Sequence, residues 1–169
     1  MRLLSFRFGF AVVALVLLGL LAGAPASARQ LHGIVSHVTD GDTLWVRPAG
    51  GQPPMQVRLQ GVDAPEICQP FGLQARNALA ARLRHRTVQV SIRARDRYQR
   101  SVGTVSFEGQ DVGAWLVERG YAWSTRYRGR AGPYAQEEAQ SRRGRVGLWA
   151  DHAVVPRLFR RSHGSCRPG

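Results

Sequence analysis

Hydrophobic and polar positions change period several times along this chain. From residue 31 to residue 59 the pattern is strand-like. Ile34, Val35 and Val38 lead into the polar turn Asp40-Gly41-Asp42, and strand formers follow at 44–47. Pro and Gly crowd residues 48–54, and a strand resumes at 55–59. Residues 69–84 switch to a helical period, with Phe71, Ala75, Ala78, Leu79 and Leu83 on one stripe. Val88, Val90 and Ile92 alternate within a strand at 87–94, and another strand spans 102–107 before Glu108-Gly109. Asp111 is placed to cap a short helix that ends at Gly120, and Pro133 to open a third helix running to about Gly144.

The order is βββ-α-ββ-α-α, with tight turns and no internal repeat. It predicts a mainly β protein with helices (α+β): a five-stranded OB-type β-barrel decorated by about three helices. Such barrels commonly present one face to nucleic acid. The stretch ahead of the barrel has a different character. Arg2 and Arg7 flank the start of an apolar run at 8–22, and Ala26-Ser27-Ala28 follows. This reads as a secretory signal peptide over 1–28, cleaved after Ala28, with an uncleaved membrane anchor as the alternative. The expected organisation is then a single OB-type domain at 29–150 and a basic, weakly structured tail at 151–169. The location is exported, periplasmic or extracellular.

Charge narrows the chemistry. The 169 residues carry 24 basic and 11 acidic side chains, a formal charge of +13, and every basic residue is Arg. Without Lys there is no P-loop lysine, no Schiff base and no Ser-Lys dyad, although codon bias alone could produce the same composition. No CxxC or HExxH is present, which argues against zinc. Arg clusters at 82–86, 93–100, 126–130 and 142–145, with Arg160-Arg161 beyond them, point to an anionic partner.

The minority charge is more informative. Asp40, Asp42, Asp63 and Glu66 fall in one short window, each within two residues of Gly or Pro. Taken alone, Asp-Gly-Asp is an ordinary turn. With Asp63 it also offers two carboxylates to a hard cation, and the absence of nearby His or Cys ligands favours calcium or magnesium over zinc. Strand alternation sends Val57 and Leu59 inward and Arg58 to the opposite face, and Pro65 can turn Glu66 back toward it. Arg100 follows Asp96-Arg97-Tyr98. Two guanidinium forks, two metal-ligand candidates and a further carboxylate are the parts that phosphodiester hydrolysis needs.

The segments Val38-Thr39-Asp40-Gly41-Asp42-Thr43, Val57-Arg58-Leu59-Gln60-Gly61-Val62-Asp63-Ala64-Pro65-Glu66 and Asp96-Arg97-Tyr98-Gln99-Arg100 resemble the thermonuclease (staphylococcal nuclease-like) family. Gly120-Tyr121-Ala122-Trp123 and Gly147-Leu148-Trp149 extend that resemblance to about residues 31–149. It implies that Asp42, Asp63 and the Ala64 carbonyl bind Ca²⁺, with Asp40 and Thr43 ordering its surroundings. Glu66 would act as general base or position the water, and Arg58 and Arg100 would hold the scissile phosphate. Arg97 and Tyr98 would contact a neighbouring phosphate. The implied activity is calcium-dependent hydrolysis of DNA and RNA leaving 3′-phosphate ends. We expect a monomer with no stable protein partner and no membrane association once the signal is cleaved.

The match has departures. Gln99 stands where the family has Gly; if that position needs positive φ, Gln strains the turn and could displace Arg100. Ala64 stands for Thr, the stretch at 66–72 is short, and the base-stacking tyrosines do not align. Tyr127, Tyr134 and Trp123 are candidates to replace them, each as readily a core residue as a stacking platform. Cys68 and Cys166 are the only cysteines, and we expect them to form a disulfide if export oxidises them. Free thiols or an intermolecular bridge are the other possibilities. Two other functions remain open: a catalytically inactive nucleic-acid-binding OB-type module, and a basic membrane-surface protein, for which there is no long amphipathic helix.

Overall fold

The first strand, β1 (Arg29–Asp40), is long enough to serve two neighbours. Residues 29–34 pair antiparallel with β5 (Thr87–Arg95), and residues 33–40 pair with β2 (Thr43–Pro48). Register irregularities after Val35 and Val38 bend it between the two. In this computed structural model, residues 29–126, 128–151, 153–164 and 166 are described. The predicted signal segment at 1–28 and Tyr127 lie outside them. Strand β3 (Met55–Leu59) pairs with β2, and β6 (Ser101–Phe107) pairs with β5. A parallel pairing of β3 with β6, Val57 opposite Ser101, closes the five strands into a barrel. The closure buries the inward set Val35, Leu44, Val46, Val57, Val88, Val90 and Val105.

Two short strands, β4 (Val62–Asp63) and β8 (Trp123–Ser124), form a small second sheet, and β7 (Gln110–Asp111) extends the edge beyond β6. Helix α1 (Gly72–Leu83) packs on β1 and buries Ala75, Leu79 and Leu83, the apolar stripe seen in the sequence. It starts later than residue 69 because Pro70 and the left-handed Phe71 (φ 72°) sit in the turn before it. Asp111 caps α2 (Val112–Glu118) by accepting from the Ala114 amide at 3.0 Å. It also accepts from the Tyr134 hydroxyl at 3.1 Å. Helix α3 (Ala135–Arg143) buries Glu138, which accepts from the Ser124 amide at 3.0 Å and from Arg142.

The expectation for the tail needs correction. Residues expected to be weakly structured contain a fourth helix, α4 (Pro156–His163), with Pro156 in its first turn and Phe159 buried. Its sequence is too short and too basic to announce a helix. Its order comes from burying Phe159 and from a covalent tie, the Cys68–Cys166 disulfide, with Cα atoms 5.7 Å apart across a sequence separation of 98. A closed span of that length stabilises the fold by up to about 4 kcal/mol in the chain-entropy model. Gln69 adds a hydrogen bond to the Val154 carbonyl at 2.5 Å.

Gly72 shows how tightly the start of α1 is set against the segment before it. A Cβ there would collide with the Glu66 carbonyl, which is backbone and cannot swing aside. Gly72→Ala is therefore expected to lower the unfolding free energy by about 1–3 kcal/mol. Urea denaturation checks this, and a neutral substitution would show that the segment yields.

Candidate functional site

The turn between β1 and β2 builds the first wall of the site. Asp40 Oδ1 accepts from the Asp42 amide at 3.0 Å, which fixes the turn. Gly41 packs so closely on Ala64 and Ala75 that a Cβ would sit 2.6 Å from the Ala64 methyl. The Asp42 carboxylate is thereby driven inward until only 2% of the residue is exposed. Both of its oxygens are occupied. Oδ2 accepts from the Ala64 amide at 2.9 Å, and Oδ1 accepts from the Thr43 hydroxyl at 3.1 Å and from Arg58 Nη1.

Arg58 lies opposite Thr43 in the β2–β3 ladder, on the face away from buried Val57 and Leu59. Its second terminal nitrogen donates to Asp63 Oδ1 at 3.3 Å. One guanidinium thus joins two carboxylates that are far apart in sequence. Burial pushes the Asp40 and Asp63 carboxyls above their ordinary range, opposed first by the positive charge of Arg58. Burial likewise weakens the protonation of Arg58, and Asp63 and Asp40 counter it.

Asp40, Asp42, Arg58, Ala64 and Glu66 line one pocket of about 50 Å³, closed in by Thr39, Pro65, Ile67 and Cys166. It has room for a few water-sized groups. Among the described residues no three Asp, Glu, His or Cys side chains converge as a metal cage. The donor chemistry still fits a hard cation. Asp42 and Asp63 converge on a single positive group, the nearby ligands are all oxygen, and carbonyls and water can complete such a shell.

Arg100 enters from the other side of the barrel closure. It directly precedes Ser101, whose pairing with Val57 brings Arg100 beside β3, near enough for its charge to act on Asp40 and Arg58. Asp96 holds it, accepting from its amide at 3.0 Å and from Nε at 2.7 Å. Gln99 does occupy a left-handed position, with φ 63°, so the turn carries the strain expected of a non-glycine there. The Asp96 bonds keep Arg100 at the site despite it. Tyr98, 64% exposed, accepts from Arg97 at 2.8 Å and lies under the guanidiniums of Arg97 and Arg100. Trp123 and Tyr134 are buried in the core, so neither offers a stacking platform.

A family model described as "Staphylococcal nuclease homologue" matches residues 56–151, more than half of the chain. The chain belongs to the staphylococcal nuclease homologue family. It is similar to protein ParB of Escherichia coli, at 39% identity over 88% of this chain and 89% of that protein. It is similar to micrococcal nuclease of Shigella flexneri at 36% identity, over 90% and 91% of the two chains. An uncharacterized endonuclease of Haemophilus influenzae is 31% identical over 75% and 71%.

In this family member, Glu66 is not the free carboxylate the sequence suggested. Arg160 of α4 donates to Glu66 Oε1 at 2.5 Å and lies 3.8 Å from Asp63. In the sequence, Arg160 is only one more charge of the general basic field. The cysteine pairing was the one signal that could have located it, since Cys68 follows Glu66 and Cys166 follows Arg160 closely.

Arg58 neutralises a carboxylate that has almost no access to water. Arg58→Ala should destabilise the protein by about 3 kcal/mol, because it leaves Asp42 buried with an uncompensated charge. Pairing it with Asp42→Asn should recover much of that loss in chemical denaturation, whereas additive losses would show that the two do not share one ionic junction.

Proposed function

We propose that this protein is an exported, calcium-dependent nuclease that hydrolyses DNA and RNA and leaves 3′-phosphate ends. The observation that carries this reading is the convergence of Asp42 and Asp63 on Arg58, where Asp42 and Arg58 line a pocket with Glu66. A module that only binds nucleic acid has no use for buried carboxylates facing a polyanion. Family membership and the nuclease relatives support the same reading.

Asp42 and Asp63, with the Ala64 carbonyl, would hold Ca²⁺. When bound, Ca²⁺ supplies positive charge that polarises the phosphodiester and offsets its developing negative charge. The Asp40 turn and the Thr43 hydroxyl keep the Asp42 carboxylate in one orientation. Arg58 and Arg100 stand on either side of the barrel closure, and their planar forks match pairs of phosphate oxygens. Glu66 takes the proton of the attacking water at its carboxylate. The water oxygen bonds to phosphorus as the P–O5′ bond breaks, the 5′ oxygen leaves as a hydroxyl by taking a proton from solvent, and the phosphate stays on the 3′ end. Arg97 and Tyr98 sit at the exposed edge, where a neighbouring phosphate can lie.

A groove of about 640 Å³ runs from Asp63 and Arg160 past Arg126, Arg142 and Arg157. Its basic lining supports an extended polyanionic substrate. The export reading rests on the charged, apolar and small-residue order of residues 1–28. Among the described residues no helix is long and apolar enough to cross a membrane.

The decisive test uses protein recovered from the exported fraction, expected to begin at Arg29. It should digest DNA and RNA with Ca²⁺, stop with EDTA, and give fragments that need phosphatase before 3′ extension. Glu66→Ala should reduce kcat by about 100-fold or more. Cleavage indifferent to EDTA would refute the metal assignment, and tight binding with no cleavage would favour the inactive binding module. Binding of duplex DNA should also weaken steeply with salt. If about five Arg contact phosphates, the log-log slope is near −4.5. A flat dependence in a filter-binding titration would remove the basic field from the account.

A further inference from the structure

Glu66 sits in a turn-rich stretch, 64–71, that belongs to no helix or strand. A carboxylate on such a segment needs outside support to hold one geometry. The support comes from the tail. Arg160 donates to the Glu66 carboxylate at 2.5 Å, Gln69 donates to the Val154 carbonyl at 2.5 Å, and Cys68 is bonded to Cys166. The Cys68 amide also faces Cys166 Sγ at 3.1 Å. Three separate ties therefore join the residues around Glu66 to the residues around Arg160.

The tail does not require the ion pair for anchorage. The disulfide, the Gln69 bond and buried Phe159 already hold it, and a pair whose Arg side chain is 35% exposed adds little to stability. Arg160 also reaches within 3.8 Å of Asp63, and both residues line the basic groove. Among the described residues, Arg160 is the side chain that fixes the Glu66 carboxylate.

We propose that Arg160 is a positioning residue for Glu66, delivered to the site by α4 and kept there by the Cys68–Cys166 disulfide. This rests on the nuclease reading of Glu66. The guanidinium orients the carboxylate through one of its oxygens. The disulfide makes that orientation dependent on an oxidised tail.

The test is steady-state cleavage of a single-stranded DNA oligonucleotide with Ca²⁺ by the oxidised protein. Arg160→Gln should lower kcat by about tenfold and change KM by less than about twofold, with an unchanged thermal midpoint. Arg160→Lys, which keeps the charge, should recover part of the loss. Cys68→Ser combined with Cys166→Ser should lower kcat in the parent background and cause little further loss in the Arg160→Gln background.

An unchanged or raised kcat in Arg160→Gln would overturn the proposal, a raised value showing that Arg160 blocks the site. A loss confined to KM would overturn it in favour of a phosphate ligand. Additive losses in the cycle would overturn the role of the disulfide. Failure of the nuclease reading looks different: the parent protein itself would not cleave.

Discussion

The site depends on one ionic junction, the Arg58 guanidinium between the carboxylates of Asp42 and Asp63. Asp42 is almost wholly removed from water, and an isolated carboxylate there would be prohibitively unfavourable. Arg58, the Thr43 hydroxyl and the Ala64 amide together make it tolerable. The same contacts hold the β1–β2 turn, the middle of β3 and the end of β4 in register. The groups that satisfy Asp42 also bring the acidic residues to one place.

Barrel closure supplies the second constraint. The parallel pairing of β3 with β6 sets Arg100 beside the strand that carries Arg58. Neither residue could be held so firmly by a flexible loop, since Arg58 lies within β3 between buried Val57 and Leu59 and Arg100 directly precedes β6. The strain at Gln99 is local and is offset by the three bonds that Asp96 accepts. A departure from the family pattern that looked damaging in sequence is thus contained within one turn.

The C-terminal helix changes what counts as the site. A member of this family could be described by its barrel alone, yet here a pocket wall includes Cys166 and an acidic residue of the pocket is paired with Arg160. The disulfide lets a short, highly basic helix stay ordered against a basic protein. Once anchored, that helix puts positive charge where the carboxylates need it.

The sequence by itself determined the barrel and most of its decoration, because alternation of buried Val and Leu with polar residues leaves only one face to the core. It also marked Asp40, Asp42, Arg58, Asp63, Glu66 and Arg100, since scarce acids at turns and an Arg between two core residues are visible without coordinates. The partners of those residues were not visible. That Arg58 spans two acids, that Trp123 and Tyr134 are core, and that Arg160 pairs with Glu66 follow from contacts between segments remote along the chain. Only the tertiary structure decided them. The physical reason is that local pattern reports which face a residue turns toward the core, whereas an ion pair depends on which distant chain closure and covalent linkage bring against that face.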